Sequence, residues 1–139
     1  MHTITKLKID CSPLDVYQAF IDPAKIKNFW FSSSSAIFEE GKTIRLTYDE
    51  YSYQGEMTVI ELIPNQKIKL DWEGHEVTIW LTGLGNGTIV EAIEEGFDEQ
   101  AEDIIDQLVD NKEGWIYMLT CLKTYLEFGI STLRANLVK

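Results

Sequence analysis

Histidine is scarce in this chain of 139 residues: only His2 and His75 occur, and neither has a cysteine, histidine or carboxylate at ligand spacing. A locally encoded metal site is therefore not expected, since such sites draw their ligands from short, regular spacings. Cysteine is equally sparse. Cys11 and Cys121 lie far apart and in no CxxC pattern, so neither a disulfide framework nor a redox motif is encoded, and both read as structural thiols. Positive charge is outnumbered, with 12 Lys and Arg against 23 Asp and Glu and a net charge of −11. Phosphate backbones and anionic lipids are bound largely through Lys and Arg, so this balance argues against nucleic acid and anionic membranes as partners. No apolar run approaches the roughly 18–20 residues that span a bilayer. The opening segment MHTITKLKID has no signal-peptide apolar stretch, and a cytoplasmic protein is expected. GxSxG, P-loop and GxGxxG motifs are absent, and no catalytic residue or cofactor is assigned.

What is present is the balance of a soluble globular protein, 45% hydrophobic and 25% charged, and residues 1–139 are read as one domain. Thr3–Asp10 alternates as a first strand, with Thr3, Thr5, Leu7 and Ile9 on one face and Ile4 misplaced among lysines on the other. Ser12-Pro13-Leu14-Asp15 then announces a helix, Ser12 as cap and Pro13 in the first helical position. Asp22-Pro23 ends it and opens a second short helix bearing Ile26, Phe29 and Trp30. Strand candidates follow at Ala36–Glu39, Thr43–Tyr48, Tyr53–Ile63, Lys67–Trp72, Glu76–Thr82 and Thr88–Glu95. Turn signals separate them, Asn86-Gly87 being the strongest, and no helix intervenes, so an antiparallel meander is expected. Within the strands Ile44, Leu46 and Tyr48, then Ile68, Leu70 and Trp72, then Val77, Ile79 and Leu81 alternate with polar residues. One face is covered and the other is wet.

The cover comes from the end of the chain. Trp115, Met118, Leu119, Leu122, Leu126, Ile130 and Leu133 recur at helical spacing from Gly114 onward, and Gly129 is a weak point. The acidic stretch Glu99–Asp110 reads as a separate short helix. Periodicity alone thus gives an α+β fold: a curved antiparallel sheet of about six or seven strands, two short helices after the first strand, and a long C-terminal helix.

Specific residues fill in that order. The run Asp10–Pro23, with Ile26 and Phe29-Trp30-Phe31, resembles the opening of the activator of heat-shock-protein-90 ATPase homologue-like family. Tyr53-Gln54-Gly55-Glu56-Met57 with Glu61 and Pro64, then Trp72, Gly87-Thr88, Gly96-Phe97 and Gly114-Trp115, are similar to later motifs of that family in the same order. The resemblance implies the START-like, helix-grip fold, whose superfamily holds lipid-transfer proteins, polyketide cyclases and aromatases, with a cavity between sheet and helix. Many relatives carry a His just before the Gly-Phe pair; Glu94-Glu95 stands here, so no property of that His is carried over.

The aromatic residues, 12% of the chain, supply the candidate site. Trp30, Phe31, Tyr48, Met57, Trp72, Ile79, Trp115, Leu119 and Leu122 are expected to line the cavity, with Glu94 or Tyr53 as polar contact. An apolar pocket of that kind suits a hydrophobic or aromatic small molecule. Two other roles are weighed. The first is a protein-interaction or chaperone-regulating module, although the resemblance implies a further N-terminal domain in chaperone-activating members and none is expected here. The second is a cyclase-like enzyme using Glu94. His75 reads as a solvated turn residue, and Trp80 as an outer-face residue beside Ile89 or Ile93, marking a homodimer or partner surface.

Overall fold

The computed structural model describes residues Met1–Lys139. Its elements are β1 (His2–Ile9), α1 (Pro13–Ile21), α2 (Pro23–Ile26), β2 (Ser33–Ser34), β3 (Thr43–Tyr48), β4 (Tyr53–Ile63), β5 (Lys67–Trp72), β6 (His75–Leu84), β7 (Gly87–Glu95) and α3 (Ile104–Phe128). The strands form one antiparallel sheet in the order β1-β7-β6-β5-β4-β3-β2. Its meander of β3 to β7, with β1 closing on β7, is the expected helix-grip arrangement.

Local chemistry sets the helices. The Ser12 side chain accepts from the Asp15 amide at 3.2 Å, and Pro13 occupies the first turn, where its missing N–H costs nothing. Asp22 ends α1 and caps α2, accepting from the Ala24 amide at 2.9 Å. Only one turn follows, so Phe29 and Trp30 lie beyond α2 rather than on it.

Curvature has a local source. The register of β4 against β5 slips between Val59 and Glu61, leaving Ile60 as an extra residue that is 44% exposed. A bulge of this kind bends the strand. It also reverses the alternation, so that Met57 and Val59 face inward before it and Leu62 packs on the core after it.

The covering helix departs from its expected outline. Glu99–Asp110 is not a separate helix: α3 runs unbroken for 25 residues, about 37 Å at 1.5 Å per residue, and carries Gly114 in its interior. It ends at Gly129, whose left-handed φ of 70° lets its amide return to Tyr125 O at 2.9 Å. Ile130 and Leu133 therefore lie past the helix, in a C-terminal segment whose carbonyls accept from Tyr48, Tyr51 and Tyr117. Trp115, Met118, Leu119, Cys121 and Leu122 form the buried face of α3. Met118, Leu119 and Leu122 each contribute about 1.5–3 kcal/mol by leaving water.

Three further expectations are corrected. Ala36–Glu39 is not a strand. Ser33 and Ser34 pair with Thr47 and Leu46, after which the chain leaves the sheet so that buried Phe38 can donate its amide to Ile21 O at 3.0 Å. Trp80 does point outward, 40% exposed, but its direct neighbours are Lys67 and Glu91, with Ile89 and Ile93 only on the diagonals. The Lys67 ammonium sits 4.8 Å from the Trp80 ring centroid. His75 is the first residue of β6 rather than a solvated turn residue, packed on Phe97 with ring centroids 4.7 Å apart.

The open edge of β1 is guarded by α3. Lys112 and Lys123 donate to the Ile4 and Lys8 carbonyls, and Glu127 accepts from the Asp10 amide at 3.2 Å. Occupied edge groups and lysines discourage strand addition by another chain.

Candidate ligand cavity

Where β3 and β5 end and β4 begins, the sheet and α3 diverge around a cavity of about 440 Å³. Four pieces of chain build it. After α2, the Trp30 amide closes a turn onto Ile26 O at 2.8 Å, setting Trp30 and Phe31 side by side with ring centroids 4.6 Å apart. The strand ends contribute Tyr48, Tyr53 and Trp72, with Tyr51 from the 3-10 turn between β3 and β4. The helix contributes Asp110, Asn111, Gly114, Trp115, Tyr117 and Met118. Arg134, Leu137 and Lys139 of the C-terminal segment complete the wall.

The rings pack edge-to-face more than flat. Trp30 meets Trp72 at 6.3 Å and 83°, Phe31 meets Trp72 at 5.8 Å and 82°, and Trp72 meets Trp115 at 6.4 Å and 89°. Ring quadrupoles favour this geometry, which holds the wall rigid without filling the space. Gly55 is what lets Tyr53 fold inward. A Cβ at that position would overlap the Tyr53 hydroxyl and the Glu73 carboxylate. In the space so left, the Tyr53 hydroxyl accepts from Trp72 Nε1 at 2.9 Å and donates to Glu73 Oε1 at 3.0 Å.

The C-terminal segment is tied down by side chains. Tyr48, Tyr117 and Tyr51 donate their hydroxyls to the carbonyls of Arg134, Leu133 and Leu137 at 2.5, 2.7 and 2.8 Å. The Arg134 guanidinium reaches three acceptors: Trp30 O at 2.9 Å, Glu50 Oε2 at 2.7 Å and Ser32 Oγ at 3.0 Å. Lys139 pairs with Asp110 at 2.6 Å. Burial raises the Tyr48, Tyr53 and Tyr117 hydroxyls above their ordinary range, so they stay protonated and donating.

Of the residues expected at the site, Trp30, Phe31, Tyr48, Tyr53, Trp72 and Trp115 lie on this wall. Met57, Ile79, Leu119 and Leu122 do not; each is at most 1% exposed and belongs to the closed core. Glu94 is also off the wall, behind Trp115. It is 5% exposed, accepts from Trp115 Nε1 at 2.9 Å, and its second oxygen lies 2.7 Å from His75 Nδ1. Sequence reasoning missed Tyr51, the α3 residues Asp110, Asn111, Gly114, Tyr117 and Met118, and the C-terminal segment as parts of the wall. Arg134, one of only two arginines in an acidic chain, is the one signal that could have marked that segment.

Comparison with known proteins gives a family and a set of similar structures. Residues 10–127 match the family model described as Activator of Hsp90 ATPase homolog 1-like protein. The chain is similar to the crystal structure of the protein SSP2350 from Staphylococcus saprophyticus, at 45% identity and a TM-score of 0.86, over 94% of this chain and 95% of that one. It is similar in fold to the Aha1 dimer from Colwellia psychrerythraea, at 23% identity and a TM-score of 0.81, over 93% and 98% of the two chains. DynU16, from the dynemicin biosynthetic locus, shares the fold at 17% identity and a TM-score of 0.83, over 96% of this chain and 50% of that one. No protein of curated function matches the chain.

Proposed function

The chain belongs to the Activator of Hsp90 ATPase homolog 1-like family, and we propose that within it this protein is a single-domain, cytoplasmic binding module that holds a hydrophobic or aromatic small molecule between sheet and helix. The cavity carries this reading. Its volume of about 440 Å³ is that of a small-molecule site, and ten of its fifteen lining residues are hydrophobic. Its geometry also favours binding over the cyclase-like enzymatic alternative, because the Glu94 carboxylate that chemistry would need is committed to Trp115 and His75.

A thermal-shift screen of flat aromatic and aliphatic compounds tests it. A compound at about 100 times its Kd adds about 2.7 kcal/mol to stability. A screen in which nothing raises the melting temperature would sink the reading.

Self-association through the outer sheet face is the second reading, motivated by exposed Trp80 and by a relative that is a dimer. Lys67 lying over the Trp80 ring and Glu91 beside it weigh against a dry interface there. Sedimentation velocity decides: this reading requires a dimer that Trp80→Glu converts to monomer.

A further inference from the structure

The aromatic cavity wall spends nearly all its polar hydrogens on the protein itself. All four tyrosine hydroxyls that reach the cavity donate to protein oxygens. The Trp72 and Trp115 indoles donate to Tyr53 and Glu94. Trp30 is the exception. Its side chain lines the cavity and is only 5% exposed, yet its Nε1–H donates to none of the protein's acceptors, unlike the other two wall indoles. Nor is that nitrogen among the enclosed unpaired atoms, which are Thr5 Oγ1, Ser34 Oγ and Asn65 Oδ1, so it keeps access to solvent on a ring that lines the cavity.

The indole N–H of so buried a ring ordinarily finds a protein acceptor, and one that keeps access to solvent is met by water, which an acceptor on a ligand can replace. We infer that Trp30 selects the ligand's polarity: its Nε1–H donates to a neutral acceptor, a carbonyl oxygen or ring nitrogen, on an otherwise flat apolar molecule. Neutrality follows from the charges around the cavity. Arg134 is paired with Glu50 and Lys139 with Asp110, and the chain carries −11 overall, so no spare cation awaits a carboxylate. The inference rests on the binding reading above and specifies what that site recognises.

Three probes of nearly equal size separate the possibilities: acetylnaphthalene, ethylnaphthalene and naphthoate. Protein labelled with nitrogen-15 at its four tryptophans gives four indole signals, and that of Trp30 is assigned in the wild type from its contacts with the Phe31 and Phe20 rings. Acetylnaphthalene is expected to bind about five- to tenfold tighter than ethylnaphthalene, the worth of one neutral hydrogen bond. It alone should move the Trp30 indole proton downfield, and Trp30→Phe should erase the preference. Equal affinities, an unmoved Trp30 signal on binding, or tightest binding by naphthoate would each overturn the inference while leaving a binding cavity. Should these probes fail but another compound from the thermal screen bind, an unmoved Trp30 signal with that compound overturns it equally. If no compound binds at all, the binding reading itself falls, and this inference with it.

Discussion

Arg134 and Tyr48 are locked to each other twice: the guanidinium carbon lies 4.7 Å from the Tyr48 ring centroid, and the Tyr48 hydroxyl donates back to the Arg134 carbonyl at 2.5 Å. One residue belongs to the C-terminal segment and the other to β3, so the pair closes the cavity wall across 86 residues of chain. Burial raises the Tyr48 hydroxyl, against a smaller opposing pull from Arg134, and keeps it a donor.

Arg134→Ala removes the guanidinium from Trp30 O, Glu50 and Ser32 together. A hydrogen bond to a charged group contributes about 1.5–3 kcal/mol, and a loss of that size is expected in urea denaturation. Arg134→Lys should recover less than half of it, since a single ammonium cannot reach three acceptors arranged around a planar fork. Full recovery by lysine would reduce the contact to simple charge.

Acid should loosen the same closure. The hydrogen bond from Arg134, helped by a backbone hydrogen bond, holds the Glu50 carboxyl at about 2, against an ordinary value of 4.5. A folded-state value below the unfolded one means the contribution is complete above about pH 4.5 and disappears as pH falls towards 2. The Arg134 Nε–H signal is expected to titrate with a midpoint near the lower value, and the titration should vanish in Glu50→Gln. A midpoint near 4.5 in the wild type would mean the pair does not form in solution.

Strand alternation made the sheet legible, and β3, β4 and β5 have the bounds their patterns predict. The helix was harder to outline. Ile105 and Val109 look like an apolar stripe of their own, but they are 68% and 62% exposed on the outer side of one continuous helix. Parity could bring Trp72 and Met57 to the inner face without telling wall from core. That distinction depends on how far sheet and helix diverge along their length, which no local pattern encodes. His75 and Glu94 lie 19 residues apart and meet only because β6 and β7 pair antiparallel. The C-terminal segment is held by hydroxyls on its backbone carbonyls, an interaction without periodicity.

Glu94 supplies a third prediction. Glu94→Leu leaves the Trp115 indole without its acceptor inside the protein, at an expected cost of about 1–3 kcal/mol. Glu94→Gln retains a carbonyl oxygen for Trp115 and should lose less than half as much. Urea denaturation measures both, and the Trp115 indole signal should move upfield in the leucine variant alone. Equal stability of the two variants would show that the carboxylate pairing with His75, rather than the bond to Trp115, is what matters here.

Gly114 separates a cavity kept for a ligand from one left by imperfect packing. Glycine inside a helix costs about 0.5–1 kcal/mol relative to alanine. A Cβ built at Gly114 meets nothing within 4 Å, and the position faces the cavity, so Gly114→Ala should raise stability by about that amount. Gly114→Leu pushes three more carbons into the same space. It should remain at least as stable as the wild type while weakening any compound found by the thermal screen about tenfold or more, the pattern of a stability–function trade-off. Denaturation and compound titration on the same three proteins give both quantities. A leucine variant that binds as tightly as the wild type would place the compound outside this cavity, and one that unfolds would mean the space is needed for the fold itself.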